Sequence, residues 1–170
     1  MRALGTLAAL AVAVLAQSAS GGFEWRGAPT VDLVLVVVVY VALTGGPVAG
    51  LAAGTLGGLV QDALSTGILG MGGLAKTVVG FLAGRFGTQF IVTATVPRIV
   101  TFAAATAAHA VLFMGAYALL GLRSFPDPMT AVAIQAAGNG LAGVVCFQLS
   151  EWLPRAIERR RATRGMRVSR

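Results

Sequence analysis

Six apolar stretches make up most of this chain, and charges, prolines and glycine clusters separate them. They cover approximately residues 3–17, 31–44, 47–64, 72–90, 98–122 and 129–149. Runs such as 31–43 and 101–122 offer no polar face to water, so lipid is the solvent that suits them. The pattern predicts an all-α integral membrane protein with about six transmembrane helices, several shorter than the ~20 residues that cross a bilayer squarely.

The second and third stretches are nearly continuous. Only the run Thr44-Gly45-Gly46-Pro47 separates them. Glycine adopts positive φ readily and proline suits the first position of a helix, so this run predicts a tight turn. Two helices joined this closely are expected to be antiparallel neighbours.

Composition supports membrane residence, and the charge distribution predicts orientation. Hydrophobic residues are 56% of the chain and charged residues 11%, whereas a soluble domain carries about 25% charged residues. A basic block directly after an apolar stretch is typical of a cytoplasmic flank that also attracts anionic lipid. We therefore interpret residues 1–153 as a transmembrane domain and 154–170 as a cytoplasmic, lipid-facing basic tail, with no nucleic-acid partner. The tail carries Arg155, Arg159, Arg160, Arg161, Arg164, Arg167 and Arg170.

Six spans place both termini on one side of the membrane. The basic tail and Arg2 predict that this side is the cytoplasm, which also makes the link near Arg85 and Arg98 cytoplasmic. The first stretch has a second interpretation: Arg2, an apolar run and the small residues of 16–19 also describe a cleavable secretory signal. We favour a retained first helix.

Small residues form a stripe on the third helix. Gly50, Gly54, Gly58 and Asp62 follow at intervals of four residues, which places them on one helix face. Such a face lets another helix backbone approach closely. It predicts a helix-packing or partner interface, and it places the Asp62 carboxylate against protein instead of lipid.

The fourth helix has its own small-residue pair and a lysine. Gly80 and Gly84 suit close packing against the third helix, and Lys76 is expected at a depth comparable to that of Asp62. Two arrangements are open. Asp62 and Lys76 can form an ion pair, or Lys76 can extend toward the headgroups while Asp62 caps the turn at 65–67.

Three further polar side chains fall within apolar stretches. His109 has no second histidine in the chain to join it, so an interhelical hydrogen bond is favoured over a metal site or proton handling. Gln135 and Asn139, four residues apart, are interpreted as interhelical hydrogen-bonding groups, with a polar cavity as the alternative. No phosphate-binding loop, nucleophile elbow or metal-ligand pair occurs in the sequence. We therefore expect no enzyme activity, cofactor or metal.

The region from Pro29 to Arg85 resembles a known family. The stretch 58–65 (Gly-Leu-Val-Gln-Asp-Ala-Leu-Ser), then Leu69-Gly70 and 74–85 (Leu-Ala-Lys-Thr-Val-Val-Gly-Phe-Leu-Ala-Gly-Arg), is similar to the hallmark region of MreD, the bacterial rod shape-determining membrane protein. The preceding 29–33 (Pro-Thr-Val-Asp-Leu) is similar to that family's second helix. The resemblance covers about a third of the chain.

The resemblance implies a fold and a role. The implied fold is similar to the six-helix substrate-binding components of energy-coupling-factor transporters. The implied role is in cell elongation at the bacterial inner membrane, alongside an MreC-like periplasmic coiled-coil protein, an MreB-like filament, and RodA-like and penicillin-binding-protein synthases. A non-enzymatic scaffold that joins filaments to peptidoglycan synthesis is the leading hypothesis. A vitamin- or metal-binding transporter component is the alternative.

Overall fold

Helices account for nearly all of the structure. The computed structural model describes residues 2–19, 24–25, 28–29, 31–65, 67–89, 94–122 and 128–168, and for residues 2, 24–25, 28–29 and 153–168 it gives secondary structure alone. The helices are α1 (Arg2–Ala19), α2 (Leu33–Gly45), α3 (Pro47–Leu64), α4 (Met71–Gln89), α5 (Thr95–Leu119) and α6 (Pro128–Val168). Within the described residues, the expected six helices are present. The sequence did not predict one small feature, an antiparallel pair of two-residue strands, β1 (Glu24–Trp25) and β2 (Ala28–Pro29).

Helix α2 is the centre of the bundle. It packs against each of the other five helices, and Val34, Val38 and Val39 have 0% of their surface exposed. A helix that is apolar on every side is suited to such a position. On one side α2 shares an apolar cluster with α1 and α3, and on the other a second cluster with α4, α5 and α6 that includes Phe102 and Phe147.

A single non-helical residue joins α2 to α3. Gly46 has φ of +86° and donates its N–H to the Ala42 carbonyl, and Pro47 is the first residue of α3. A side chain at Gly46 would strain this left-handed conformation. The expected tight turn between antiparallel helices is present.

Helices α3 and α4 are packed backbone to backbone through the glycine stripe. A Cβ at Gly50 would collide with the Gly80 carbonyl, and a Cβ at Gly54 with the Lys76 carbonyl. Nearby, the Oγ1 atoms of Thr55 and Thr77 are 2.8 Å apart and hydrogen-bonded. The stripe is therefore covered within the chain by α4.

The α3–α4 contact is equally close at its two ends. A Cβ at Gly58 would lie 2.5 Å from the Gly73 Cα, and one at Gly84 would lie 2.5 Å from the Pro47 Cα. Glycine is thus required along the whole crossing, from the α2–α3 turn to the start of α4.

Helix α6 is the longest element. It continues to Val168, so the expected boundary at 153/154 coincides with no break in secondary structure, and the division into two domains stays a prediction. Before that boundary, Arg98 at the start of α5 contacts α6 in two ways. Its guanidinium forms an ion pair with Glu151 at 2.7 Å and lies 4.3 Å from the centre of the Phe147 ring.

Length and composition single out two candidate membrane spans in the described part of the chain. They are Thr95–Leu119 and Pro128–Trp152, and the apolar helices at Ala3–Ala19 and Leu33–Gly45 are shorter. Two of the six expected spans therefore have the length and composition of a helix that can cross a membrane.

Candidate functional site

A buried ion pair joins α2 to α4. Asp32 is the N-cap of α2, and its Oδ1 accepts a 2.9 Å hydrogen bond from the Leu35 N–H. Its Oδ2 is 2.8 Å from the Nζ of Lys76. Both residues are almost inaccessible, with 2% of Asp32 and 3% of Lys76 exposed. Charges at such burial require a partner, and each of these supplies the other's.

His109 of α5 extends this pair to a third helix. Its Nε2 is 3.3 Å from the Nζ of Lys76, and 7% of the residue is exposed. The ring stacks on Phe113 with centroids 5.8 Å apart, and Phe113 packs in turn on Tyr117. The Tyr117 hydroxyl accepts a hydrogen bond from the Ile68 N–H in the link before α4. An aromatic row along α5 therefore connects the buried charges with the α3–α4 link.

Asn139 connects α6 to the buried charges. Its Oδ1 accepts a 2.8 Å hydrogen bond from the Asp32 N–H, and its Nδ2 donates a 2.9 Å hydrogen bond to the Thr106 hydroxyl of α5. That hydroxyl donates onward to the Phe102 carbonyl. The amide of Asn139 thus satisfies one donor and one acceptor on two other helices.

We call Asp32, Lys76, Thr106, His109 and Asn139 the polar network. It joins α2, α4, α5 and α6, and α1 reaches the next residue because the Gln17 Oε1 accepts from the Leu33 N–H. Such satisfied, buried hydrogen bonds penalise any shift in helix register, because a shift would leave polar groups unpaired. The described residues contain no group of three or more His, Cys, Asp or Glu side chains suited to a metal ion.

Neither arrangement expected for Asp62 and Lys76 is the one observed. Lys76 turns into the bundle to meet Asp32, so it neither pairs with Asp62 nor extends outward. The Asp62 Oδ2 instead accepts 2.9 Å hydrogen bonds from the N–H groups of Gly70 and Gly73. The first turn of a helix has free N–H donors and a partial positive charge, which a carboxylate satisfies. Asp62 therefore caps α4 from α3.

Replacing this cap gives a graded prediction. We expect Asp62→Ala to cost about 1 kcal/mol of stability and to raise the amide hydrogen-exchange rates of Gly70 and Gly73. Asp62→Asn keeps an acceptor oxygen, so its effect should be smaller. Hydrogen exchange measured by mass spectrometry on the segment 67–75 compares the variants, and equal rates in wild type and Asp62→Ala would contradict the capping role.

The remaining residues singled out from the sequence have separate positions. Gln135 is half-buried on α6, one turn before Asn139. The side chains of Arg155, Arg159, Arg160 and Arg161 lie outside the described set.

Sequence reasoning missed the role of Asp32. The residue stands directly before an apolar run, which is an N-cap signal, and the structure confirms that it caps α2. Nothing local indicated that Lys76, 44 positions further along the chain, would be its partner.

Comparisons with known proteins gave one match. The sequence model of a family described as rod shape-determining protein MreD matches residues 4–136, well over half of the 170-residue chain. This range runs from α1 into α6 and includes every residue of the polar network except Asn139. No curated protein and no solved structure matches the chain.

Proposed function

This chain belongs to the rod shape-determining protein MreD family, and from that premise we propose that it is a non-enzymatic membrane scaffold of the cell-elongation machinery. The family is one of membrane proteins with a role in cell shape. The finer proposal is that the helix bundle holds together components on the two sides of the inner membrane, an MreB-like filament inside and an MreC-like protein outside. Through them it would reach RodA-like and penicillin-binding-protein synthases.

The proposed topology is multi-pass with both termini in the cytoplasm. The two candidate spans, α5 and α6, support membrane residence, and the arginines after Trp152 support a cytoplasmic C-terminus. An alkaline phosphatase fused after Val168 should then be inactive, and an active fusion would contradict the orientation.

The family match carries the proposal, and the internal pairing of Asp32, Lys76 and Asn139 favours a scaffold over a ligand-binding transporter component. A transporter component needs polar groups directed at a ligand. Here Asp32, Lys76 and Asn139 are directed at one another and at helix backbones. That arrangement suits a bundle that keeps one rigid shape for its partners. The proposal also includes a fold similar to that of the six-helix substrate-binding components of energy-coupling-factor transporters, without their ligand-binding role.

Depletion in a rod-shaped bacterium tests the function. We expect cells that lose the protein to round and lyse, because wall synthesis is then no longer confined to the cylindrical part of the cell. Re-expression should restore rods. Phase-contrast microscopy gives the readout, with expression of Gly115→Ala as a matched variant that should also restore rods. Normal rods that require a vitamin or metal supplement would contradict the scaffold and favour the transporter alternative. Co-purification of an MreC-like protein is expected as well.

A further inference from the structure

His109 carries the one polar atom of the network that the protein leaves unsatisfied. The Nδ1 atom is fully buried and has no hydrogen-bond partner among the described residues. The residue is 7% exposed, and the Phe113 ring lies nearly parallel to the imidazole at an interplanar angle of 19°. Among the described residues, this buried atom therefore has no acceptor.

The neighbours of the ring determine where its proton lies. Lys76 is ion-paired to Asp32 and is therefore an ammonium, which has three donors and no acceptor. Because it faces Nε2 at 3.3 Å, that nitrogen must accept. A second proton on the ring would place an imidazolium against the ammonium, with Asp32 as the one carboxylate of the network to balance both. The neutral ring with its proton on Nδ1 follows.

A buried N–H without an acceptor is costly. The penalty is about 1–3 kcal/mol, and in a membrane protein no bulk water is at hand to relieve it. The surrounding network is otherwise satisfied, since Asp32, Asn139 and Thr106 all have partners. An acceptor other than the described residues would relieve this penalty.

We propose that the Nδ1–H of His109 is a binding site for one small neutral oxygen acceptor, either a water molecule or a lipid ester carbonyl. The charges of Lys76 and Asp32 cancel, so the site needs no counter-ion and takes a neutral acceptor. The site is independent of the scaffold function, and it makes His109 a ligand-binding residue as well as a helix-packing one.

Nitrogen NMR of the full-length protein in lipid bilayers tests the site directly. His109 is the only histidine in the chain, so ¹⁵N-histidine labelling gives the signals of one imidazole. We expect a neutral ring protonated on Nδ1, with magnetisation transfer to its proton from water or from ¹³C-labelled lipid ester carbonyls. Transfer from water identifies the first source and transfer from lipid the second.

Three results would overturn the proposal. They are protonation on Nε2 or on both nitrogens, an Nδ1 proton that contacts neither water nor lipid, and an Nδ1 proton bonded to an oxygen of the chain itself. The double variant Asp32→Asn with Lys76→Met supplies the control. It removes the ammonium from Nε2, so we expect the ring to populate both neutral tautomers, and an unchanged single tautomer would contradict the tautomer argument.

Discussion

Lys76→Met is expected to destabilise the folded protein by about 3–5 kcal/mol, because it leaves the buried Asp32 carboxylate without its counter-ion. Asp32 is 2% exposed, and its Oδ2 bonds the Lys76 ammonium at 2.8 Å. The apolar methionine fills much of the lysine's volume, so the loss reports the charge and not a cavity. It would appear as a lower thermal unfolding midpoint of the purified protein in detergent. In cells, less protein in the membrane and rounding of the rods are expected.

Two further variants make this result interpretable. Asp32→Asn combined with Lys76→Met removes both charges while the amide oxygen can still accept from the Leu35 N–H, so the double variant should be clearly more stable than Lys76→Met alone. Val78→Met places methionine at a more exposed position of the same helix, 37% exposed, and should change stability by less than about 0.5 kcal/mol. A Lys76→Met protein as stable as Val78→Met would show that the buried Asp32 carboxylate does not need Lys76 as its counter-ion.

The second large effect is expected from Gly54→Ala. The added methyl would collide with the Lys76 carbonyl and lie 2.8 Å from the Thr77 nitrogen. These are backbone atoms of α4, which cannot rotate away as a side chain can, so α3 and α4 must separate. Overpacking costs of about 1–3 kcal/mol are usual, and a clash between two backbones belongs at the upper end of that range. The unfolding midpoint again gives the measurement.

Gly115→Ala is the matched control for this substitution. Gly115 also lies inside a helix, α5, but a Cβ there meets nothing within 4 Å. Helix propensity alone favours alanine by up to about 1 kcal/mol, so this variant should be as stable as wild type or slightly more stable. Equal destabilisation by Gly54→Ala and Gly115→Ala would mean that the α3–α4 contact is not as close as the structure has it.

The helix positions could be predicted from the sequence because the relevant forces act locally. The predicted third segment, 47–64, has the same ends as α3, since proline starts it and Ser65 follows it. The α2–α3 turn and the pairing of the two glycine faces followed from spacing in the same way. Strands β1 and β2, two residues each, are too short to leave a periodic signal.

The polar network could not be predicted, because its members are far apart in sequence. Periodicity tells which face of α4 carries Lys76, but not whether α2, α3 or α5 lies against that face. Asp62 was considered as a partner because the two residues were expected at comparable depth. In the structure, Asp62 accepts hydrogen bonds from backbone N–H groups at the start of α4, and Lys76 forms an ion pair with Asp32. Central placement of α2 was the missing fact, and its uniformly apolar sequence was the available signal for it.

The one-residue turn at Gly46 also constrains how the protein is made. In the proposed topology, α2 and α3 cannot enter the bilayer one after the other with a soluble loop held between them, because Gly46 alone separates the two helices. On that topology they enter lipid as a single hairpin, and Asp32, at the start of α2, enters ahead of Lys76. During synthesis the Asp32 carboxylate is therefore without its counter-ion until α4, which carries the lysine 44 positions later, packs against the hairpin.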